Sequence, residues 1–261
     1  MPAARSMLKR LPPGAMASST RIGAVDALRG VAIVAMVAYH LSFDLALFRL
    51  ARFDFEHDLF WLCMRAAIVA TFMGLVGVSL DLARRQNVAA GKRWRRIAVI
   101  AGCALAVSVA TLLAFPRTWI WFGILHCIAA ASVIAWPFAR HPRAALAAGI
   151  VAIAAGVVVS HPAFDSPWLA WIGFATVKPA TEDYVPLFPW LGVALVGIAV
   201  GDLLAKRPSA SPLSTGSRVL PIPLDRPTRH LRWLGRHSLV IYMVHQPLLI
   251  GMLALFTGRF P

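Results

Sequence analysis

Apolar runs separated by short polar blocks dominate the chain, and seven of these runs approach the length that crosses a bilayer. A membrane-spanning helix needs about 20 apolar residues, with a range of about 17 to 25. The pattern therefore predicts an all-α integral membrane protein, a polytopic bundle of about seven transmembrane helices. The predicted spans are 30–48, 59–82, 97–115, 119–138, 144–160, 187–204 and 238–256.

The basic residues between these runs predict how the bundle is oriented. With a cytoplasmic N-terminus, 20 of the 26 Lys and Arg residues fall in the inner segments 1–29, 83–96, 139–143 and 205–237. Such an excess of positive charge marks the cytoplasmic side of a membrane protein. The inner loop 205–237 is rich in Pro, Ser and Arg, so we expect irregular structure there.

Composition supports a membrane protein and excludes a soluble one. Of the 261 residues, 59% are hydrophobic and 14% are charged, which is more apolar surface than a soluble domain of this size can bury. The formal net charge of +15 resides in the blocks between apolar runs, without a nucleic-acid recognition motif. We therefore expect contact with membrane lipid and no nucleic-acid partner, and the sequence leaves a homo-oligomer open.

The domain organisation is simple. Residues 1–20 are expected to form a disordered cytoplasmic segment. They lack the apolar core of a cleavable signal peptide, so we expect the first membrane helix to act as the signal. Residues 21–261 then form one transmembrane domain. The three cysteines lie in apolar runs without CxxC or Cys/His ligand spacing, so we expect neither disulfides nor a bound metal.

Ionisable residues inside a span are costly and mark candidate functional sites. In the first span, His40 and Asp44 are four residues apart and share one helix face near the middle of the bilayer. Asp44 could fix the tautomer of His40 and make an acid–base pair. The alternative is a polar pair that satisfies itself between packed helices.

Other polar residues extend this picture. The outer-loop sequence "DFEHD" surrounds His57 with carboxylates, and His57 could act as a general base or accept an acyl group. The alternative is an ordinary solvated loop histidine. His126 lies in the fourth span, and His245 and Gln246 lie in the seventh. Polar groups from several helices favour a lined interior cavity.

The inner side carries a second set of candidates. Arginines at the ends of the predicted spans could hold the phosphates of an anionic ligand, because a guanidinium binds phosphate with two parallel hydrogen bonds. Topology control and snorkelling are the alternative explanation. The candidate residues are Arg29, Arg84, Arg85, Arg232 and Arg236.

Five sequence blocks resemble, in order, the membrane domain of the heparan-α-glucosaminide N-acetyltransferase family. They are "VDALRGVAIVAMVAYH", "FMGLVGVSL", "FGILHCIAAASV", "FPWLGVALVGIAVG" and "LGRHSLVIYMVHQPLL". The resemblance covers nearly the whole chain. It implies a transmembrane acyltransferase that takes acetyl from cytosolic acetyl-CoA and delivers it across the membrane to a glycan amine or hydroxyl.

The resemblance also implies site residues and a location. Counting back from Gly77 by the family's spacing reaches His57 as the catalytic histidine, and His40 takes the place of an asparagine in the animal enzyme. Trp190 is a candidate for stacking against a sugar ring. The bacterial cytoplasmic (inner) membrane is the implied location. The longer interval between His40 and His57, and the lack of a separate lumenal domain, argue against heparan as the acceptor.

Two other classes of function stay open at this point. One is a proton-coupled transporter or flippase whose His and Asp residues near the membrane midplane relay protons, although inverted repeats that would favour it are not evident. The other is a non-catalytic membrane scaffold, which predicts that removing His40 or His57 leaves the function intact.

Overall fold

The computed structural model describes residues 23–206 and 225–260, and these residues form an all-helical bundle without strands. This confirms the predicted fold class. Short 3₁₀ turns follow α4 and interrupt the connection between α5 and α6. The α-helices of the described part are α1 (Gly23–Leu47), α2 (Leu59–Arg85), α3 (Ala90–Ala114), α4 (Ile124–Ile134), α5 (Pro142–Val158), α6 (Leu187–Lys206), α7 (Asp225–Arg236) and α8 (Ser238–Thr257).

Five of these helices are long and apolar enough to cross a membrane, namely α1, α2, α3, α6 and α8. The expected continuous span 119–138 is wrong, because α4 has only 11 residues. Its N-terminal part is held outside the helix by backbone pairing with a later loop. At its other end, Pro137 lies in the 3₁₀ turn Trp136–Arg140 that replaces the expected last turns. A total of seven spans and a cytoplasmic N-terminus stay predictions.

Close helix packing forms the centre of the bundle between α2 and α6. A β-carbon added at Gly77 would overlap the carbonyl oxygen of Ala194, and one added at Gly197 would overlap that of Gly74. Small residues of this kind allow the backbones of membrane helices to approach closely. The buried side chains of Met73 and Ile198 fill the core beside this contact. The α2–α6 pair therefore packs closely along its contact face.

Part of the inner segment that we expected to be irregular is helical. Residues 225–236 form α7, which packs against the start of α1 so closely that a β-carbon at Gly30 would overlap the carbonyl oxygen of Leu231. The prolines and serines that suggested irregular structure are concentrated in 207–224. That stretch and the N-terminal segment predicted to be disordered lie outside the described residues.

The connection between α5 and α6 folds back onto the connection between α3 and α4. The Glu182 N–H donates to the Thr118 carbonyl at 2.9 Å, and the Val185 N–H donates to the Phe122 carbonyl at 3.4 Å. The Thr181 hydroxyl adds a bond to the Trp119 carbonyl at 2.8 Å. These bonds fix the segment 181–185 against the beginning of α4.

Candidate active site

A cavity of about 540 Å³ lies between α1, α2, α3, α4 and the α7–α8 junction. Five cationic side chains line one end of it, which we call the inner cavity mouth. They are Arg29, Lys92, Arg95, Arg96 and Arg236. Guanidinium and ammonium groups supply hydrogen-bond donors and no acceptors, so the mouth suits an anion.

The cavity becomes apolar with distance from the mouth. Ile33 lies one helical turn beyond Arg29, and Val99 and Ile100 lie one turn beyond Arg95 and Arg96. Because α4 runs in the opposite direction, its first residues reach the far end of the cavity. The remaining apolar lining includes Phe72, Val76, Ile124, Leu125, Ile128 and Leu239.

Tyr242 on α8 and Asp183 on the fixed loop segment meet at the far end. The Tyr242 hydroxyl donates to Asp183 Oδ2 at 3.4 Å, and the Ile124 N–H donates to the same oxygen at 3.0 Å. Gly123 leaves room for this carboxylate, since a β-carbon there would lie 2.5 Å from Asp183 Oδ2. Burial raises the pKa of Asp183, while the bonds from Ile124 and Tyr242 lower it.

Beyond Tyr242, α1 and α8 bring four side chains together in what we call the outer polar cluster: His40, Asp44, His245 and Gln246. The rings of His40 and His245 meet edge to face with centroids 4.9 Å apart. One turn beyond His40 on α1, Asp44 Oδ1 accepts a hydrogen bond at 2.7 Å from Nε2 of Gln246, the residue that follows His245 on α8. The cluster therefore consists of two successive side-chain contacts between α1 and α8.

The hydrogen-bond roles in this cluster follow from the partners. His40 Nδ1 lies 3.0 Å from the Met36 carbonyl, and His245 Nδ1 lies 2.7 Å from the Tyr242 carbonyl. A carbonyl oxygen only accepts, so both Nδ1 atoms carry the proton, and Nε2 of each neutral ring is an acceptor. Within the described residues, three buried acceptors of the cluster lack a partner: Asp44 Oδ2, His245 Nε2 and Gln246 Oε1.

A comparison with protein families decides the relationship that the sequence blocks indicated. The catalytic-domain model of heparan-alpha-glucosaminide N-acetyltransferase matches residues 21–247 of the chain. The chain belongs to this family. Comparison with curated proteins and with solved structures found no match.

Membership of the N-acetyltransferase family, together with the apolar helices, makes the chain an integral membrane protein of the membrane acetyltransferase type. The family implies acetyl-CoA as co-substrate. Among the described residues, no group of three or more His, Cys, Asp or Glu side chains could hold a metal ion. The expectation that no metal takes part stays a prediction.

His57, the residue that the N-acetyltransferase resemblance indicates as catalytic, lies outside both the cavity and the outer polar cluster. Its side chain is 82% exposed on the loop between α1 and α2, where its Nδ1 contacts the carboxylate of Asp54 at 3.1 Å. The Asp54 carboxylate also accepts the N–H groups of Glu56 and His57, which fixes the turn. Nothing in this geometry tests its role, and a catalytic His57 stays a prediction.

The predicted contact between His40 and Asp44 is wrong. In the described residues Asp44 hydrogen-bonds Gln246, and the Met36 carbonyl orients His40 in its place. A residue four positions away on a helix is only one of several neighbours, and α8 supplies a better partner for the carboxylate. The structure does bring His40, Asp44, His245 and Gln246 together as one cluster.

His126 and Trp190 lie apart from this cluster. His126 accepts the Gly123 N–H at Nδ1, and its Nε2 lies 3.3 Å from the Ser108 hydroxyl, so both ring nitrogens are satisfied at the start of α4. Trp190 packs, partly buried, against the apolar core. Nothing in these contacts tests a role in substrate binding, which stays a prediction for both residues.

The five arginines that were predicted to bind phosphate lie at different places in the structure, and only some of them line the cavity. Arg29 and Arg236 line the inner cavity mouth. Arg84 and Arg85 form ion pairs with the buried Asp81, and Arg85 also pairs with Asp202 on α6. Arg232 lies beside Gly23 and is not among the residues that line this cavity, but it lines a second pocket together with Arg236.

Sequence reasoning missed three cations of the mouth and both residues at the far end. Lys92, Arg95 and Arg96 have the spacing of one helix face and precede apolar residues, a signal that was present in "GKRWRR". Tyr242 lies three residues before His245 and shares its face. For Asp183 no signal existed, since its position depends on pairing between two loops.

Proposed function

We propose that the protein transfers an acetyl group from cytosolic acetyl-CoA, bound in the cavity, to a glycan amine or hydroxyl at the outer polar cluster. The observation that carries this proposal is the junction at Tyr242, where a cation-lined cavity ends beside a cluster of acceptors that have no partner among residues 23–206 and 225–260. Each end of this arrangement complements one of the two reactants. The bacterial cytoplasmic membrane, with the cavity mouth facing the cytosol, is part of the proposal.

On the donor side, the residues fit the chemical groups of acetyl-CoA. The cations of the mouth would hold its phosphates through charge-assisted hydrogen bonds. The apolar walls formed by Ile33, Val99 and Ile100 would surround its unbranched arm and exclude water. Bound in this way, acetyl-CoA supplies an activated acetyl thioester.

On the acceptor side, the cluster would bind a hydrogen-bond donor, which an amine or hydroxyl group provides. Asp44 Oδ2, His245 Nε2 and Gln246 Oε1 would each accept from such a ligand. His40 is the proposed general base, because within the described part of the chain its Nε2 has no hydrogen-bond partner and its ring is only partly buried. It would take the proton that the attacking nitrogen or oxygen loses.

The test combines donor binding with transfer, measured on detergent-purified protein. Acetyl-CoA affinity is determined by calorimetry, and acetyl transfer is followed with a panel of amino sugars and hydroxyl glycans. The double variant Arg95→Ala/Arg96→Ala should weaken donor binding at least ten- to hundredfold, since the loss of even one charge-assisted hydrogen bond costs about 1.5–3 kcal/mol.

The matched control is Arg140→Ala/Arg143→Ala, which also removes two exposed basic residues but does not change the cavity lining. It should bind acetyl-CoA like the wild type. Absence of donor binding at millimolar concentration, or equal weakening in both double variants, would refute the proposal. Proton-coupled uptake of a solute into proteoliposomes without acetyl transfer would instead favour a transporter.

A further inference from the structure

Tyr242 is the polar residue of the cavity lining that lies furthest from the cationic mouth. On α8 it lies one turn beyond Ser238, which adjoins the mouth, and about one turn before His245 of the outer polar cluster. Its ring centroid is 5.6 Å from that of His245. Tyr242 therefore lies at the boundary between the proposed donor and acceptor sites.

The ring of Tyr242 is held in place by packing. It contacts the apolar core around α2, α4 and α6 and also the smaller cluster that includes Ile33 and Met36 on α1. A tyrosine fixed by two cores keeps its hydroxyl at one position, and a preorganised donor loses no reorganisation energy during a reaction.

Asp183 orients this hydroxyl. Capping of α4 alone does not account for the position of the Asp183 carboxylate. The bond from the Ile124 N–H at 3.0 Å would suffice to cap α4, yet the same oxygen also faces the Tyr242 hydroxyl at 3.4 Å. At that length the second bond is weak, so the hydroxyl can turn to a better acceptor. Burial raises the pKa of Asp183, and a protonated carboxyl would free the Tyr242 hydrogen by donating to the phenol oxygen.

We infer that Tyr242 donates the hydrogen bond that stabilises the oxyanion formed during acyl transfer, and that Asp183 is its positioning residue. This inference rests on the proposed function. When the acceptor nitrogen or oxygen bonds to the thioester carbonyl carbon, the carbonyl oxygen gains a negative charge and accepts the bond from Tyr242 Oη. When the carbonyl re-forms, the C–S bond breaks, the sulfur leaves with the electron pair and takes up a proton, and Tyr242 keeps its own proton.

Substitution of Tyr242 by Phe removes the hydroxyl and keeps the ring. We expect kcat to fall about 10²- to 10³-fold, as for the loss of one oxyanion donor in other enzymes, with a much smaller increase in the acetyl-CoA dissociation constant. Tyr39→Phe is the matched control, because Tyr39 lies on α1 outside the cavity lining and its substitution also removes one hydroxyl. It should retain wild-type kcat.

An infrared measurement separates this role from a structural one. The carbonyl stretch of ¹³C-labelled acetyl-CoA is recorded on the protein without any acceptor. A hydrogen bond from Tyr242 should shift it to lower frequency in the wild type and in Tyr39→Phe, and the shift should disappear in Tyr242→Phe. Asp183→Asn should reduce the shift, lower kcat less than Tyr242→Phe does, and remove the contribution of the Asp183 carboxyl to the pH profile of kcat.

The outcomes distinguish this inference from the proposal on which it rests. A Tyr242→Phe protein with wild-type kcat and an unchanged carbonyl shift overturns the role of Tyr242 alone. A wild type that does not bind acetyl-CoA overturns the proposed function. If Tyr242→Phe does not fold, as judged by thermal melting, Asp183→Asn decides: an unchanged carbonyl shift in that variant overturns the inference.

Discussion

The inner cavity and the outer polar cluster are built on the same two helices but have opposite hydrogen-bonding character. α1 carries Arg29 at the cavity mouth and His40 in the cluster, while α8 carries Tyr242 in the cavity and His245 in the cluster. The mouth offers only donors, and the cluster offers unpaired acceptors. The two helices α1 and α8 can therefore bind two chemically different reactants next to each other.

The two regions also differ in what their charges already contact. At the mouth, Arg236 pairs with the buried Asp26, and Arg29 donates to Ser79, so cations are partly compensated within the protein. In the cluster, three buried acceptors lack partners among the described residues. Each buried unsatisfied polar group costs about 1–3 kcal/mol. A fold that retains several of them at one place is typical of a binding site rather than of a packing contact.

The largest expected effect separates the cluster from the exposed outer loop. His40→Ala should lower kcat about 10²- to 10⁴-fold, because the proposed general base is lost. Donor affinity should stay unchanged, since the cavity is intact. His57→Ala removes an exposed side chain outside both regions and should have a smaller effect on kcat.

Steady-state kinetics and calorimetry on both variants measure these effects. If His57→Ala loses more activity than His40→Ala, the base lies on the outer loop, as the family resemblance implies. In that case the outer polar cluster does not supply the general base, and acetyl transfer does not take place between the cavity and the cluster.

The sequence predicted the helices better than it predicted their contacts. Apolar length located α1, α2, α3, α6 and α8, because a span is a property of consecutive residues. Periodicity placed His40 and Asp44 on one face, but it could not identify α8 as the neighbour of that face. For the same reason Arg29 and Arg236, far apart in sequence, were assigned to the inner side without evidence that they share a cavity.

Two further sets of contacts differ in whether the sequence could predict them. Arg84 and Arg85 follow Asp81 by three and four residues, a spacing that forms ion pairs within one helix, so their pairing was readable in the sequence. Asp183 was not readable, because its place depends on hydrogen bonds between two irregular connections. Helical patterns predict faces, whereas loop-to-loop pairing requires the tertiary structure.

A second prediction concerns a substitution that should change the inner cavity mouth alone. In Gly30→Ala the added methyl group would overlap the carbonyl oxygen of Leu231 and push α7 away from α1, displacing Arg236 from the mouth. We expect a loss of about 1–3 kcal/mol in the free energy of unfolding and weaker acetyl-CoA binding. The acceptor KM should change less than the donor affinity, because the cluster lies on the far side of Tyr242.

Gly102→Ala on α3 is the matched control, since apart from the adjacent backbone of α3 no atom of the described residues lies within 4 Å of the added β-carbon. It should melt at or slightly above the wild-type temperature, because Ala is the better helix former. Equal losses of donor affinity in both variants would mean that the contact between α1 and α7 does not shape the mouth.

The smallest expected effect concerns Asp44. Asp44→Asn keeps an oxygen that accepts from Gln246 and replaces the unpaired carboxylate oxygen by a neutral amide. Because an unpaired buried acceptor is removed, the protein should gain about 1 kcal/mol in stability, while the acceptor KM rises and donor affinity stays the same. Thermal melting and substrate titrations measure both quantities. Ser42→Ala, on the same helix, is the control that should change neither the acceptor KM nor the acetyl-CoA affinity. A destabilised Asp44→Asn with an unchanged acceptor KM would show that the carboxylate holds the bundle together, and the cluster would then be a packing contact after all.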